Sequence, residues 1–182
     1  MRLFIGIELD SSAKDYLSAL QKQLKPFIVK GRLSREDLFH LTLSFIGNVP
    51  DSDLPDYYHV LERAAGQAGS FSCVMNSIGQ FTRKHRAVLW AGIENNPPLM
   101  ALQRNIETIL KDSLGYIGES RDYHPHITLG RNIEFSEPFD NIRRHIQIEP
   151  FSFVVKKVTL FESTSKDGQL IYVPIFQAEL NT

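Results

Sequence analysis

The sequence predicts an α+β fold made by duplication: two lobes with antiparallel-rich sheets around a central groove, and helices on the outer faces. Three observations predict it. Leu3-Phe4-Ile5-Gly6-Ile7-Glu8 recurs as Leu89-Trp90-Ala91-Gly92-Ile93-Glu94, and His40-Leu41-Thr42-Leu43 recurs as His126-Ile127-Thr128-Leu129; 89 − 3 and 126 − 40 are both 86. Each copy alternates strand-like and helix-like stretches, which calls for sheets covered by helices. No low-complexity linker separates the halves, so residues 1–182 are expected to form one domain of two pseudo-symmetric lobes, with repeat copies beginning near 2 and near 88.

The elements follow in order. The opening strand ends at Glu8, and Ser11 to Pro26 carries Ala13, Tyr16, Leu17, Leu20 and Leu24 at helical spacing, with Ser11 or Ser12 as N-cap and Pro26 marking the end. The His40 motif reads as a strand, and Ser52 to Ala68 as a helix with Leu54, Tyr57, Leu61, Ala64 and Ala68 aligned. Strands are expected at Phe71 to Ile78 and Val88 to Glu94. A third helix opens at Pro97-Pro98, carries Leu99, Leu102, Ile106, Ile109 and Leu110, and stops at Gly115. The His126 strand and a weaker helix from Phe139 to Ile146 follow. Strands at Phe151 to Phe161 and Leu170 to Leu180 close the chain, joined through the hairpin dipeptide Asp167-Gly168.

Composition bounds the function. Twenty Lys plus Arg against twenty-one Asp plus Glu give a net charge of -1, so the chain lacks the broad basic surface of a duplex binder; any RNA would be held by an end or a few nucleotides. Cys73 is the single cysteine, which excludes an intrachain disulfide and a cysteine-based zinc cluster and fits a reducing compartment. Apolar residues near the start meet Glu8 and Asp10 too early for a signal segment, and no run reaches membrane-spanning length. A cytoplasmic protein with no membrane and no obligate protein partner is expected.

Chemistry is concentrated in the two His-x-Thr motifs. Strand alternation puts His40 and Thr42 on one face and Phe39, Leu41, Leu43 and Phe45 on the other; His126 and Thr128 are likewise opposite Ile127 and Leu129. Pseudo-symmetry would bring two imidazoles and two hydroxyls to one groove. Phosphodiester cleavage without a metal needs one group to take a proton from the attacking oxygen and another to give one to the leaving oxygen, and imidazole serves both states near neutral pH. Hydroxyls can donate to the nonbridging oxygens as their charge grows. A lone His-x-Thr would be an ordinary strand segment; two at the repeat offset are not.

These motifs, with the opening Arg2 to Glu8, the run His40 to Gly47, His124-Pro125-His126-Ile127-Thr128-Leu129-Gly130-Arg131 and Leu160-Phe161-Glu162-Ser163, resemble the two-histidine phosphoesterase superfamily, in particular its 2'-5' RNA ligase-like branch of RNA 2',3'-cyclic phosphodiesterases. The resemblance implies a bilobal fold and hydrolysis of 2',3'-cyclic phosphate ends to 2'-phosphates, with RNA ends or small cyclic nucleotides as partners and no cofactor. It also implies His40 as proton donor, His126 as proton acceptor, and Thr42, Thr128 and Arg131 as substrate ligands. Some members join tRNA halves, so ligation and other small cyclic phosphodiesters stand as alternatives.

Strict alternation puts Arg131 on the wrong face for phosphate unless Gly130 forms a bulge; a surface ion pair is its bland alternative. Phe4 and Trp90 either line the groove beside Gly6 and Gly92 or are simply buried. Arg83-Lys84-His85-Arg86 is either a solvated turn or a contact to an RNA backbone. His59 and His145 have no readable partners. The rival enzyme is a zinc hydrolase using His40, His124 and His126, and the non-enzymatic rival is a nucleotide- or RNA-binding module; the absence of a Walker-type loop argues against a nucleotide cofactor.

Overall fold

Alternating and continuous apolar runs set nine strands, and the 3.6-residue patterns between them set four helices, in a computed structural model that describes residues 1–84, 86–118 and 121–182. In chain order they are β1 (Arg2–Glu8), α1 (Ser11–Leu24), β2 (Ile28–Leu33), β3 (His40–Asn48), α2 (Leu54–Ala65), β4 (Phe71–Arg83), β5 (Arg86–Ile93), α3 (Pro97–Leu114), β6 (His126–Phe135), α4 (Phe139–Arg143), β7 (Phe151–Val155), β8 (Lys157–Lys166) and β9 (Gln169–Glu179). All ladders between these strands are antiparallel. One sheet has the order β3-β1-β8-β9 and the other β2-β6-β5-β4-β7, giving the expected α+β architecture.

The sheets interleave the two halves of the chain. β4, from the first half, lies beside β5, while β8, from the second, lies beside β1. The helices cross over as well. Tyr16 of α1 stacks on Phe151 of β7 at 4.9 Å, and Gln103 of α3 reaches the Leu43 carbonyl of β3 at 3.5 Å. Each lobe thus depends on both repeat copies, so the halves bury one continuous apolar core. Leu17, Leu20 and Leu24 of α1 are almost wholly buried, each contributing about 1.5 to 3 kcal/mol.

Local chemistry explains where boundaries differ from the sequence reading. Asp10 caps α1, its carboxylate accepting from Ala13 N–H at 2.8 Å, in place of the serines expected there. Asn96 caps α3, and Gly115 ends it with φ of 65°. Residues 51–53 form a separate 3-10 turn before α2. The expected strand from Phe151 to Phe161 divides at Lys156, because β7 belongs to one sheet and β8 to the other. β2 was not expected: Ile28-Val29-Lys30-Gly31-Arg32-Leu33 has no clean apolar alternation and is held as an edge by β6. Asp167 and Gly168 make the β8–β9 turn, both with positive φ.

Candidate active site

The two His-x-Thr motifs begin β3 and β6, one in each sheet, and these strands approach one another. Leu41 and Leu43 are buried while His40 and Thr42 are partly open; Ile127 and Leu129 are buried while His126 and Thr128 are partly open. Alternation therefore turns each imidazole and hydroxyl away from the core, as expected.

After each motif the alternation breaks, at the same place in both copies. In β3, Gly6 faces Thr42 and Ile5 faces Ser44, leaving Leu43 as an extra residue; in β6, Trp90 faces Thr128 and Leu89 faces Gly130, leaving Leu129 as the extra one. Each bulge flips the following residues. Ser44 is buried and Phe45 is 51% exposed, which corrects the expectation that Phe45 joins the core. Arg131, 86 residues later, is exposed where unbroken alternation would bury it. A second irregularity, with Asn132 at φ 55°, returns Ile133 to the core. Arg131 thus lies on the groove side, near enough for its charge to act on His40. The bulge accounts for its position, and among the described residues it is in no salt bridge.

Both imidazoles are fixed by the same backbone device. Nδ1 of His40 donates to the Leu38 carbonyl at 2.8 Å, and Nδ1 of His126 donates to the His124 carbonyl at 2.7 Å. A carbonyl can only accept, so Nδ1 carries the proton in each ring and Nε2 is left for chemistry. Their surroundings differ. His40 packs on Phe4 at 4.8 Å and Tyr172 at 4.9 Å, and its Nε2 lies 2.9 Å from Thr42 Oγ1. Burial pushes its pKa down to about 4, opposed by the Leu38 bond and reinforced by the charges of Arg131 and His126. His40 is consequently neutral at pH 7, with Nε2 accepting from Thr42. His126 stands beside the half-open ring of Phe81 at 5.0 Å and against Trp90 at 6.3 Å.

The space beside the glycines is taken by protein. A Cβ on Gly79 or Gly92 would run into the Trp90 ring, and one on Gly6 would come within 2.8 Å of the Leu41 carbonyl oxygen. Phe4 is buried, stacked on Phe161 at 4.8 Å. Gly79 and Gly92 therefore let the Trp90 ring lie close to the sheet, and Gly6 lets β1 and β3 approach closely.

A chamber of about 340 Å³ opens beside the motifs, lined by Thr42, Phe45, Phe81, Gln103, Tyr123 and His126 among others. Its frame is built from the partners of β3's free edge. The Thr42 carbonyl accepts from Tyr123 Oη at 2.8 Å, the Leu43 carbonyl from Gln103, and the Phe45 carbonyl from Tyr116 Oη. Second-half side chains thus close the edge of the first-half motif strand. Sequence reading missed these three, because a polar tip that serves a distant carbonyl has no local signature.

His124 packs edge-on to Trp90 at 4.9 Å, and among the described residues no group of three or more His, Cys, Asp or Glu side chains gathers as a metal shell would require. The three-histidine zinc arrangement lacks its ligand geometry there. His59 pairs with Glu62 on exposed α2, and His145 stacks on Phe27, both away from the groove.

A family model for the 2'-5' RNA ligase superfamily matches residues 31–167, which include both motifs. The chain belongs to that superfamily. Among superfamily relatives, it is 27% identical over 180 residues to an RNA 2',3'-cyclic phosphodiesterase of Thermotoga maritima, covering 98% of this chain and 95% of that one. To the Escherichia coli enzyme of the same name it is 26% identical over 178 residues, covering 96% and 93%. The crystal structure of E. coli LigT complexed with 3'-AMP superposes with a TM-score of 0.81 at 26% identity, covering 100% of this chain and 98% of that one. A structure from Thermus thermophilus shares the fold with a TM-score of 0.82 at 24% identity, covering 99% and 98%.

Proposed function

We propose that this superfamily member is an RNA 2',3'-cyclic phosphodiesterase that opens cyclic phosphate ends to 2'-phosphates, with His40 and His126 as its acid and base. The observation that carries the reading is the paired site: two His-x-Thr motifs on strands that approach one another, each with its Nε2 oriented by an equivalent carbonyl bond, and Arg131 near enough for its charge to act on His40. Names of full-length relatives at about a quarter identity support the substrate class.

The chemistry follows from these positions. The cyclic phosphate sits between the imidazoles, with Arg131 and the Thr42 and Thr128 hydroxyls donating to its nonbridging oxygens. His126 Nε2 takes a proton from water as the water oxygen bonds to phosphorus. The bond from phosphorus to the 3' oxygen breaks, and that oxygen takes a proton from His40 Nε2. Solvent exchange then restores both rings. Free His40 is neutral, chiefly because it is buried, so the acid form must be created on binding: the substrate's negative charge beside the ring favours the imidazolium that burial disfavours, and raises its pKa. Phe45 and Phe81, open to the chamber, offer aromatic faces to the terminal base.

No helix among the described residues is long and apolar enough to cross a membrane. Buried free Cys73 fits the cytoplasmic location we propose.

The test is a panel of nucleoside and oligonucleotide 2',3'-cyclic phosphates assayed with EDTA present. Turnover to the 2'-phosphate is expected. Failure on every member, or recovery only on adding zinc, would overturn the reading.

A further inference from the structure

We infer that the β4–β5 hairpin is a track for the RNA strand on the 5' side of the cyclic phosphate, an inference that rests on the proposed activity and extends it to a preferred substrate length. The groove does not end at His126. Phe81 touches His126, lines the chamber, and also lines a second, shallower hollow of about 530 Å³ with Arg83, Lys84, Arg86, Val88 and Asn132. One aromatic ring is therefore the common lip of the reaction chamber and a basic surface.

Register puts the cations in line. Phe81 lies opposite Val88 and Arg83 opposite Arg86, so Phe81 and Arg83 share the sheet face of Val88, Arg86 and Trp90. Two residues along a strand span roughly 7 Å, comparable with the separation of successive phosphates in an extended single strand. A cross-strand pair of like charges is unfavourable by itself. Among the described residues neither arginine, nor Lys84 between them, has an acidic partner in an ion pair. All three are exposed. A chain with net charge -1 thus places three cations, none of them in a salt bridge among the described residues, beside its reaction groove, with Glu134 and Glu137 meeting Lys84 and Arg86 only across a separate hollow.

A strand with bound 3' end in the chamber has one direction in which to continue, towards its 5' end. Passing over Phe81 would stack a base on that half-open ring, and the next phosphates would meet Arg83, Lys84 and Arg86. His85 of the basic run lies outside the described residues.

The experiment compares a mononucleoside 2',3'-cyclic phosphate with a five-nucleotide RNA ending in the same group, using wild type and the triple variant Arg83→Ala/Lys84→Ala/Arg86→Ala. The variant is expected to lose about tenfold or more in kcat/KM on the oligonucleotide and to stay within about twofold on the mononucleotide, whose turnover also reports the fold. The log-log salt dependence of oligonucleotide binding should become shallower by about 2, from roughly 0.7 for each of three lost phosphate contacts. Equal losses on both substrates, or none on the oligonucleotide, would overturn the track while leaving the activity standing. If wild type hydrolyses neither substrate, the activity itself falls and the track with it.

Discussion

The two copies of the motif share a backbone and differ in what surrounds it. Each orients its imidazole through a carbonyl two residues back, and each bulges just after its threonine. Yet His40 is enclosed by Phe4, Phe161 and Tyr172, whereas His126 stands at the chamber wall beside half-open Phe81. The equivalent bulges likewise deliver a phenyl ring at Phe45 and a guanidinium at Arg131. The repeated motif has a symmetric geometry, and its unlike neighbours make the surroundings of the two imidazoles unequal. The proposed reaction, which needs one acid and one base, would use that inequality.

The largest expected effect comes from removing either imidazole. His40→Ala and His126→Ala should each lower turnover by about 10² to 10⁴-fold, measured on a nucleoside 2',3'-cyclic phosphate with circular dichroism to verify folding. Near-normal activity in folded His126→Ala would break the pairing.

The burial difference predicts a pH effect on stability that belongs to His40. Its folded pKa of about 4 lies below its ordinary 6.5, so between these values the unfolded chain binds a proton that the folded chain refuses. Stability therefore falls as pH drops from 6.5 towards 4 and this contribution then levels off, at about 3 kcal/mol in all. Denaturant unfolding of wild type and His40→Asn between pH 7 and 4 should show the variant losing less stability by about that amount. Parallel pH profiles would contradict the buried, neutral ring.

A smaller pair of effects separates the two bulge residues. Arg131→Ala should lower kcat/KM roughly 10- to 150-fold on every cyclic phosphate, since it loses a charge-assisted contact of about 1.5 to 3 kcal/mol to the group all of them share. Phe45→Ala should cost less, about 5- to 20-fold, and only where a base is present, at the lower end of stacking energies of about 1 to 3 kcal/mol. Ribose 2',3'-cyclic phosphate is the discriminating substrate. A loss there with Phe45→Ala would remove the assignment of that ring to the base.

Much of this site is legible from residues 40–43 and 126–129, because a repeated His-x-Thr at one offset specifies face, strand and symmetry together. The bulges are less so. Gly130 hints at the one that exposes Arg131, but Leu43-Ser44-Phe45 reads as unbroken alternation, and the outward turn of Phe45 depends on register against β1. β2 escaped for a related reason: its residues are mostly exposed, and β6 rather than an apolar pattern holds it in place. The crossing of β4 and β8 between sheets has no local signal, since both are ordinary apolar strands whose partners lie in the other half. The lowered pKa of His40 was also out of reach, being set by rings from β1, β8 and β9 that only folding assembles around it.

The division of labour is the central claim, and a substrate with sulfur in place of the bridging 3' oxygen tests it most directly. A thiolate leaves without needing a proton, while water still needs a base. On that substrate His40→Ala should recover most of its lost rate relative to wild type, and His126→Ala should stay slow. Rescue of His126→Ala, with His40→Ala still slow, would contradict the account and make buried His40 the base.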